Sequence, residues 1–297
     1  MKFIHQNATL TPQVLTYKDD AESVQTDIDE MFKHIELVGR TCYRSTEHIK
    51  GKHVEFVERL AAAEHYSPLE HGSVYLNIPY DSGLSTIELF RHSPYAETFT
   101  YWRNGKSYTG IITNYRFIVE CNLQDEMRRF WDSSLLVKHP ELERATVTTN
   151  TSLQVTAELE RHRTLSPMQE SSRYCNYSKG KFGNELTYSA PIFYNDDIAN
   201  IAIKTIFEAA MKSAEHFYFD MLNAGATPQD AAKVLPKATK STYIMTGDCR
   251  AWANFLYQRY FERTGKVLPE MKELATQIYE LFKDSKFNFI TKYRKLL

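Results

Sequence analysis

The stretch 160–174 constrains this chain more than any other part of its sequence. It places three arginines, one histidine, two glutamates and three serines within fifteen residues. Arginine offers a rigid fork of N–H donors that matches phosphate and carboxylate oxygens in pairs. Pro167 lacks an N–H and disfavours helical geometry at Ser166, which predicts that an incoming helix ends near Leu165. We therefore expect a helix end that passes into an anion-binding loop, with a solvated charged helix end as the alternative.

Composition narrows the possible classes of protein. The chain has 297 residues, 42% hydrophobic and 13% aromatic, as in a folded globular protein with a sizeable core. Its net charge of −1 disfavours nucleic-acid binding, which usually needs a basic face. No apolar run nears the roughly 20 residues of a membrane span, and the first residues lack a signal-peptide core. The four cysteines form no CxxC pair. We expect a cytoplasmic protein with reduced thiols, no metal and no membrane partner.

Apolar periodicity predicts several helices and a few short strands after an extended start over residues 1–20. The predicted helices cover 27–38, 52–64, 84–92, 124–136, 152–165, 196–223, 228–236, 242–263 and 268–283. The predicted strands cover 74–78, 110–119 and 146–149.

The order of residues in 160–174 resembles the signature of the flavin-dependent thymidylate synthases. That signature is an Arg-His-Arg triplet, a serine after seven further residues, and Arg-Tyr close behind. Here the triplet occupies 161–163, Ser171 follows after seven residues, and Arg173 and Tyr174 complete the pattern. A chance match to so long an ordered pattern is rare.

Two further segments resemble the same family. The turn before the strand at 74–78 places His71 and Ser73 at the family's second motif, with Leu69 replacing the usual aromatic residue. A metal site is the weaker interpretation of His71, because a third and a fourth ligand are not evident. The predicted helix 242–263 resembles the family pattern Asn-x-Arg-x-x-x-Asn-x-x-x-x-Arg. The four positions of that pattern are occupied here by Asp248, Arg250, Asn254 and Arg259.

The resemblance implies a mixed α/β fold, with long helices packed on a small, mostly antiparallel sheet. It implies one domain over residues 1–297, with an insertion at about 80–150 that the family lacks. It also implies a homotetramer that methylates dUMP to dTMP. Methylenetetrahydrofolate would donate the carbon, NADPH would be the reductant, and FAD would be bound non-covalently.

The resemblance also assigns residues to ligands. The FAD-binding set is His71, Ser73, Arg161, His162, Arg163, Gln169, Arg250 and Asn254. The dUMP-binding set is Glu158, Glu170, Ser171, Ser172, Arg173 and Arg259, of which Arg259 would also polarise the uracil ring as the catalytic residue.

Three positions depart from the family pattern. Met168 and Gln169 replace an Asn-Glu pair, which removes a carboxylate, although Glu170 lies next to them. Asp248 replaces an asparagine, and Ala232 stands where the family has a dUMP-binding arginine. An altered pyrimidine substrate or a binding protein without turnover therefore stays open, and so does a nucleic-acid-binding protein that uses the arginine cluster. Cys175 is the one cysteine near the motif, and we expect it to be a packing residue and not a nucleophile.

Overall fold

The computed structural model describes residues 1–80, 86–194 and 200–293. The α-helices within them are α1 (Ala21–Cys42), α2 (His53–Ala62), α3 (Thr86–Arg91), α4 (Tyr115–Glu120), α5 (Gln124–Phe130), α6 (Leu135–Lys138), α7 (Leu153–Leu159), α8 (Ile201–Asn223), α9 (Pro228–Ala231), α10 (Cys249–Arg259) and α11 (Pro269–Lys283). The strands are β1 (Lys2–Ile4), β2 (Asn7–Leu10), β3 (Ser73–Pro79), β4 (Glu97–Arg103), β5 (Lys106–Asn114), β6 (Ala145–Ser152), β7 (Ser166–Gln169), β8 (Thr187–Ser189) and β9 (Lys240–Gly247).

The strands form three small sheets. A four-stranded sheet has the order β2–β6–β9–β7 and a three-stranded sheet the order β3–β5–β4, both antiparallel throughout. The strands β1 and β8 form a parallel pair. Mixed helix and mostly antiparallel sheet is the fold class that the resemblance implied, so that prediction is confirmed.

The four-stranded sheet is covered on both faces by helices. On one face Ile244 of β9 packs with Met168 of β7 and Val38 of α1. On the other face Tyr243 and Met245 join a core built mainly from α7, α10 and α11. Because both faces are buried, residues 241–247 of β9 show no accessible side.

The sequence of α1 favours a helix through its N-terminal cap and through the spacing of its apolar residues. The Asp20 side chain caps its start by accepting from the Ser23 N–H at 3.0 Å. Its apolar residues recur at helical spacing and are buried, which confirms the prediction of an amphipathic helix there. They are Ile28, Met31, Phe32, Ile35 and Val38.

Four predicted elements need correction. Residues 115–119, predicted as strand, lie in α4, where the Asn114 side chain caps the helix by accepting from Phe117 N–H. Residues 242–247, predicted as helix, lie in β9. The predicted helix 152–165 ends earlier, at Leu159, and Pro167 lies in β7. The predicted helix 124–136 is interrupted at 131–134. The starts predicted for the helices at 84 and 196 lie outside the described residues.

Residues 86–142 contribute the strands β4 and β5 and the helices α3 to α6, which lie around the β3–β5–β4 sheet. The sheet and the helices α4 and α5 share one core with α1 and α2. Among the described helices, none combines the length and apolarity that crossing a membrane requires.

Candidate functional site

Three predicted site residues meet where α7 and α10 end. Arg259 donates from Nε to His162 Nε2 at 2.9 Å and from Nη2 to the Glu158 carbonyl at 3.2 Å. Its Nη1 forms an ion pair with Glu158 Oε2 at 2.8 Å, and the Arg259 side chain is 12% exposed. Arginine has five N–H donors, so two remain for a ligand.

His162 is neutral in this cluster. Because Nε2 accepts from Arg259, the ring proton lies on Nδ1. Burial and the nearby charges of Arg259 and Arg161 lower the pKa of His162 to about 4. The ring also packs edge-on against Phe255, with the centroids 5.0 Å apart. The positive charge of this cluster therefore belongs to Arg259 at neutral pH, not to His162.

The two outer arginines of the triplet are exposed. Arg161 lies 3.4 Å from Glu158 with 70% of its side chain exposed, a geometry that holds it only weakly. Arg163 is exposed and forms no hydrogen bond or ion pair with any residue that the structure describes. Both guanidiniums can therefore reach an anionic ligand without first breaking a buried contact.

Glu170 lies in a second, enclosed cluster. Its Oε2 accepts from Lys240 Nζ at 2.7 Å and from the Thr242 N–H and hydroxyl at 3.2 Å each. Its Oε1 accepts from the Tyr177 hydroxyl at 3.2 Å and lies 3.7 Å from Arg44 Nη1. The Glu170 side chain is only 2% exposed. For Glu170 to contact a nucleotide, this cluster has to open.

Burial changes the acidities around Glu170. It lowers the pKa of Lys240, while the neighbouring Glu170 carboxylate opposes that shift. Burial and the same carboxylate raise the pKa of Tyr177 well above its usual value, so its hydroxyl stays protonated and donates.

The loop after Glu170 carries three more predicted residues. The Ser171 N–H donates to the Cys42 carbonyl at 2.9 Å, which ties the loop to the end of α1. Ser172 and Arg173 are exposed. Arg173 donates from Nε to Gln229 Oε1 of α9 at 3.1 Å. The structure therefore presents the loop at the surface, between α1 and α9.

Gln169 and Glu170 face opposite sides of the sheet. Gln169 Nε2 donates to the hydroxyls of Thr156 and Ser241, at 3.2 Å each. The Glu170 carboxylate instead accepts from Lys240 and Thr242. Successive strand residues alternate in direction, so the two neighbours do not share a site.

His71 and Ser73 are buried within the chain. His71 is 0% exposed, and its Nδ1 lies 2.7 Å from the Thr246 hydroxyl. That hydroxyl contacts Thr146 at 2.7 Å, and Thr146 lies 3.2 Å from His34 Nε2. Burial lowers the pKa of His71 to about 3. A ligand contact by His71 requires this packing to open.

Ser73 exchanges hydrogen bonds with the side chain of Gln13. Its N–H donates to Gln13 Oε1 at 2.8 Å, and its carbonyl accepts from Gln13 Nε2 at 3.0 Å. Its hydroxyl accepts from Arg144 Nη1 at 3.4 Å. Arg144 also donates from both Nη atoms to the Glu70 carbonyl, at 3.1 Å each.

The start of α10 carries the remaining predicted residues. Asp248 caps the helix by accepting from the Ala251 N–H at 2.7 Å. Arg250 is exposed and lies 3.3 Å from Glu97 of β4. Asn254 accepts from Gln258 Nε2 at 3.0 Å. At 1.5 Å per helical residue, Arg250 lies about 14 Å along α10 from Arg259, so the predicted set spans an extended surface.

The sequence prediction missed the partners of Glu170 and His71. Lys240, Thr242 and Thr246 stand at alternate positions of β9 and contact these two residues. Periodicity gave no signal for them, because residues 241–247 are buried on both faces, and the sequence predicted a helix from residue 242 onward. Among the described residues, no group of three or more His, Cys, Asp and Glu could hold a metal ion.

The fold and these clusters define a mixed α/β protein with exposed arginines at the end of one helix and along another. A family model described as "Thymidylate synthase complementing protein" matches residues 138–285. This matched segment contains the Arg161 motif and the whole of α10. This match confirms the resemblance to the flavin-dependent thymidylate synthases.

Two individual proteins are similar to this chain. The flavin-dependent thymidylate synthase of Geobacter sulfurreducens is 29% identical over 126 residues, which are 42% of this chain and 50% of that protein. The match thus spans about half the length of this curated relative. The crystal structure of the UMP/dUMP methylase PolB from Streptomyces cacaoi, bound with 5-Br dUMP, aligns with a TM-score of 0.46 and 13% identity. That alignment covers 100% of this chain and 99% of the other.

Proposed function

We propose that this chain is a flavin-dependent thymidylate synthase that methylates dUMP to dTMP. Methylenetetrahydrofolate is the proposed carbon donor and NADPH the reductant. The proposal includes a cytoplasmic homotetramer and one domain with an insertion at about 80–150. Its main support is the convergence of Arg259 with Glu158 and His162, because these residues come from two separate family motifs.

The donor set around the triplet fits a flavin dinucleotide. Arg161, Arg163 and Arg250 are exposed, and guanidiniums bind diphosphate oxygens through paired, charge-assisted hydrogen bonds. When bound, FAD would supply the redox chemistry, while the protein supplies position and electric field. We propose that Gln169 and Asn254 add further polar contacts to the flavin. His71 and Ser73 are buried, so they can contact the flavin only after the packing around them opens.

The nucleotide would lie against the loop after Glu170. Ser171, Ser172 and Arg173 offer hydroxyl and guanidinium donors that suit a phosphate. The guanidinium of Arg259 would stabilise negative charge that develops on the uracil ring near N3. Glu158 would hold Arg259 in place for that task, since it contacts Arg259 through both its carboxylate and its carbonyl.

Burial of Cys175 disfavours the thiolate alternative. This thiol is 0% exposed within a core that includes Tyr177, Tyr188 and Tyr218. A nucleophilic cysteine needs access to its substrate and a lowered pKa. We therefore expect Cys175→Ser to retain most of the FAD-dependent activity.

The change at Ala232 favours a second candidate, a related enzyme with a different pyrimidine nucleotide as substrate. Ala232 follows directly after α9, whose Gln229 contacts Arg173, so it lies near the proposed nucleotide loop but offers no charge. Assays with dUMP, UMP and dCMP, comparing wild type with Ala232→Arg, would separate the candidates. The first candidate predicts turnover of dUMP above the others and tighter dUMP binding by the variant.

The decisive experiment measures flavin content and turnover together. The purified protein should show a flavin absorbance spectrum and release tritium from the uracil ring of labelled dUMP only with methylenetetrahydrofolate and NADPH. Arg163→Ala should lose flavin while keeping its fold. Arg128→Ala is the matched control, because Arg128 is likewise exposed and forms no ion pair among the described residues. A wild-type protein that binds no flavin, or equal flavin loss in both variants, would contradict the proposal.

A further inference from the structure

The edge strand β4 is an unusual surface for a single copy of this chain. It forms a hairpin with β5 through Asn104 and Gly105, both at positive φ, and lies at the edge of the β3–β5–β4 sheet. Among the described strands, only β5 pairs with it. Natural edge strands commonly carry proline, lysine or bulges that prevent pairing with another chain. The seven residues of β4 contain neither proline nor lysine.

The sequence of β4 is complementary to itself in antiparallel orientation. When two copies align about a two-fold axis at Thr100, Glu97 of each faces Arg103 of the other. In the same alignment Phe99 faces Tyr101, and Thr98 faces Trp102. Opposite charges and aromatic pairs directly across two strands are favourable cross-strand contacts. Every residue of β4 thus meets a suitable partner in this one register.

The exposed side chains of β4 fit such a pairing. Trp102 is 75% exposed, the largest exposure among the exposed large hydrophobic residues described, and Thr100 at the proposed axis is also exposed. The rings of Phe99 and Tyr101 stack at 5.5 Å on one face of the hairpin, and Tyr101 stacks on Tyr108 of β5 at 6.0 Å. This row of rings would continue into the second copy.

The charged ends of β4 remain available as well. Glu97 is 39% exposed beside Arg250, and Arg103 is 35% exposed beside Asp19. Arg103 also contacts Asp132 at 3.2 Å. A second copy would add an opposite charge to each of these ion pairs without removing the partner already present.

We propose that β4 is a self-association surface, at which β4 of a second copy pairs antiparallel about Thr100. The pairing joins two three-stranded sheets into one continuous sheet across a two-fold axis, the commonest symmetry of protein dimers. It satisfies backbone groups on the outer edge of β4, as in other cases of strand addition. The interface uses residues of the predicted insertion and does not depend on the proposed function.

A lysine at the axis tests the interface. In Thr100→Lys two ammonium groups face each other across the axis, and like charges directly opposite are destabilising. We expect sedimentation velocity to show the wild type in larger assemblies and Thr100→Lys in species of half that size, with unchanged circular dichroism. The control Thr9→Lys alters an exposed threonine on another edge strand, β2, and should keep the wild-type size. A monomeric wild type, or assemblies that survive Thr100→Lys, would overturn the proposal.

Cysteine cross-linking tests the register. Thr100→Cys places two thiols opposite each other, within about 5.5 Å between Cβ atoms. Thr98→Cys is the matched control, since its two thiols would lie four residues apart along the strands, at about 14 Å. A bis-maleimide shorter than that separation should link Thr100→Cys into dimers and leave Thr98→Cys at the background of the native cysteines. Equal linking of both variants, or linking of neither, would rule out this register.

Discussion

Removing the buried ammonium of Lys240 should destabilise the whole chain. Lys240 Nζ lies 2.7 Å from Glu170 Oε2, with the two side chains only 10% and 2% exposed. In Lys240→Met the methionine fills similar space, but the buried carboxylate loses its closest cation. Glu170 keeps the Thr242 N–H and the Tyr177 hydroxyl as donors at 3.2 Å, and Arg44 at 3.7 Å.

These contacts set the expected magnitude. Breaking a buried ion pair by removing one partner lowers the free energy of unfolding by about 3–5 kcal/mol. The donors that remain at Glu170 place this variant at the lower end, about 3 kcal/mol. An unfolding entropy of about 2.1 cal/mol/K per residue amounts to ~0.6 kcal/mol/K for a chain of this length, so the Tm should fall by about 5 °C.

Calorimetry and urea unfolding would measure the effect in Lys240→Met, Glu170→Gln and the double variant. The double variant should recover much of the stability, because the glutamine amide carries no charge and no longer needs a cation beside it. Lys233→Met serves as the control, since Lys233 pairs with Asp230 at 2.7 Å but is 72% exposed, and its Tm should not change. A wild-type Tm for Lys240→Met, or additive losses in the double variant, would refute the reasoning.

Three further predictions concern buried groups. Burial lowers the pKa of His71 to about 3 and of His162 to about 4, so below pH 6.5 the unfolded chain binds more protons than the folded chain. The urea midpoint should therefore fall as the pH drops from 6.5 to about 4. Thr246→Val removes a hydroxyl 2.7 Å from His71 Nδ1 and should lower the free energy of unfolding by about 1–3 kcal/mol, measured in urea. Gly110→Ala would bring a Cβ within 2.4 Å of the Phe99 ring, so hydrogen exchange in β4 and β5 should accelerate while the rest of the chain stays protected.

The sequence predicted the amphipathic helices best. Helix α11 occupies 269–283 against a prediction of 268–283, because its apolar residues recur at helical spacing over a single buried stripe. The same criterion failed for β9. Residues 241–247 are buried on both faces, so apolar residues do not alternate with polar ones along this strand. Periodicity therefore cannot distinguish a strand from a helix here.

Local propensity also misled the prediction at 115–119. Phe117, Ile118 and Val119 favour strands, and the run continues directly from β5. The cap supplied by Asn114 and the burial of Phe117 and Ile118 in the core instead favour a helical turn. Tertiary packing therefore overrides the preference of the side chains here.

The sequence identified the charged groups of the candidate site but not their partners. Arg259 and His162 lie 97 positions apart, and Glu170 and Lys240 lie 70 apart, so no local pattern links them. Whether an arginine is free for a ligand depends on such partners. Arg163 is exposed while Arg259 is nearly enclosed, although both were assigned to ligands on equal grounds.

The position of Glu170 shows why closeness in sequence does not restore a missing group. The family's carboxylate position is Gln169 here, and its amide contacts Thr156 and Ser241 on one side of the sheet. Glu170 projects to the other side, because the backbone ladder with β9 continues through the Glu170 N–H to the Thr242 carbonyl at 2.8 Å. To reach the side of Gln169 it would have to break that bond and separate from Lys240. The acceptors at Glu170 already serve Lys240, Thr242 and Tyr177, so the carboxylate lost at position 169 is not replaced by its neighbour in this conformation.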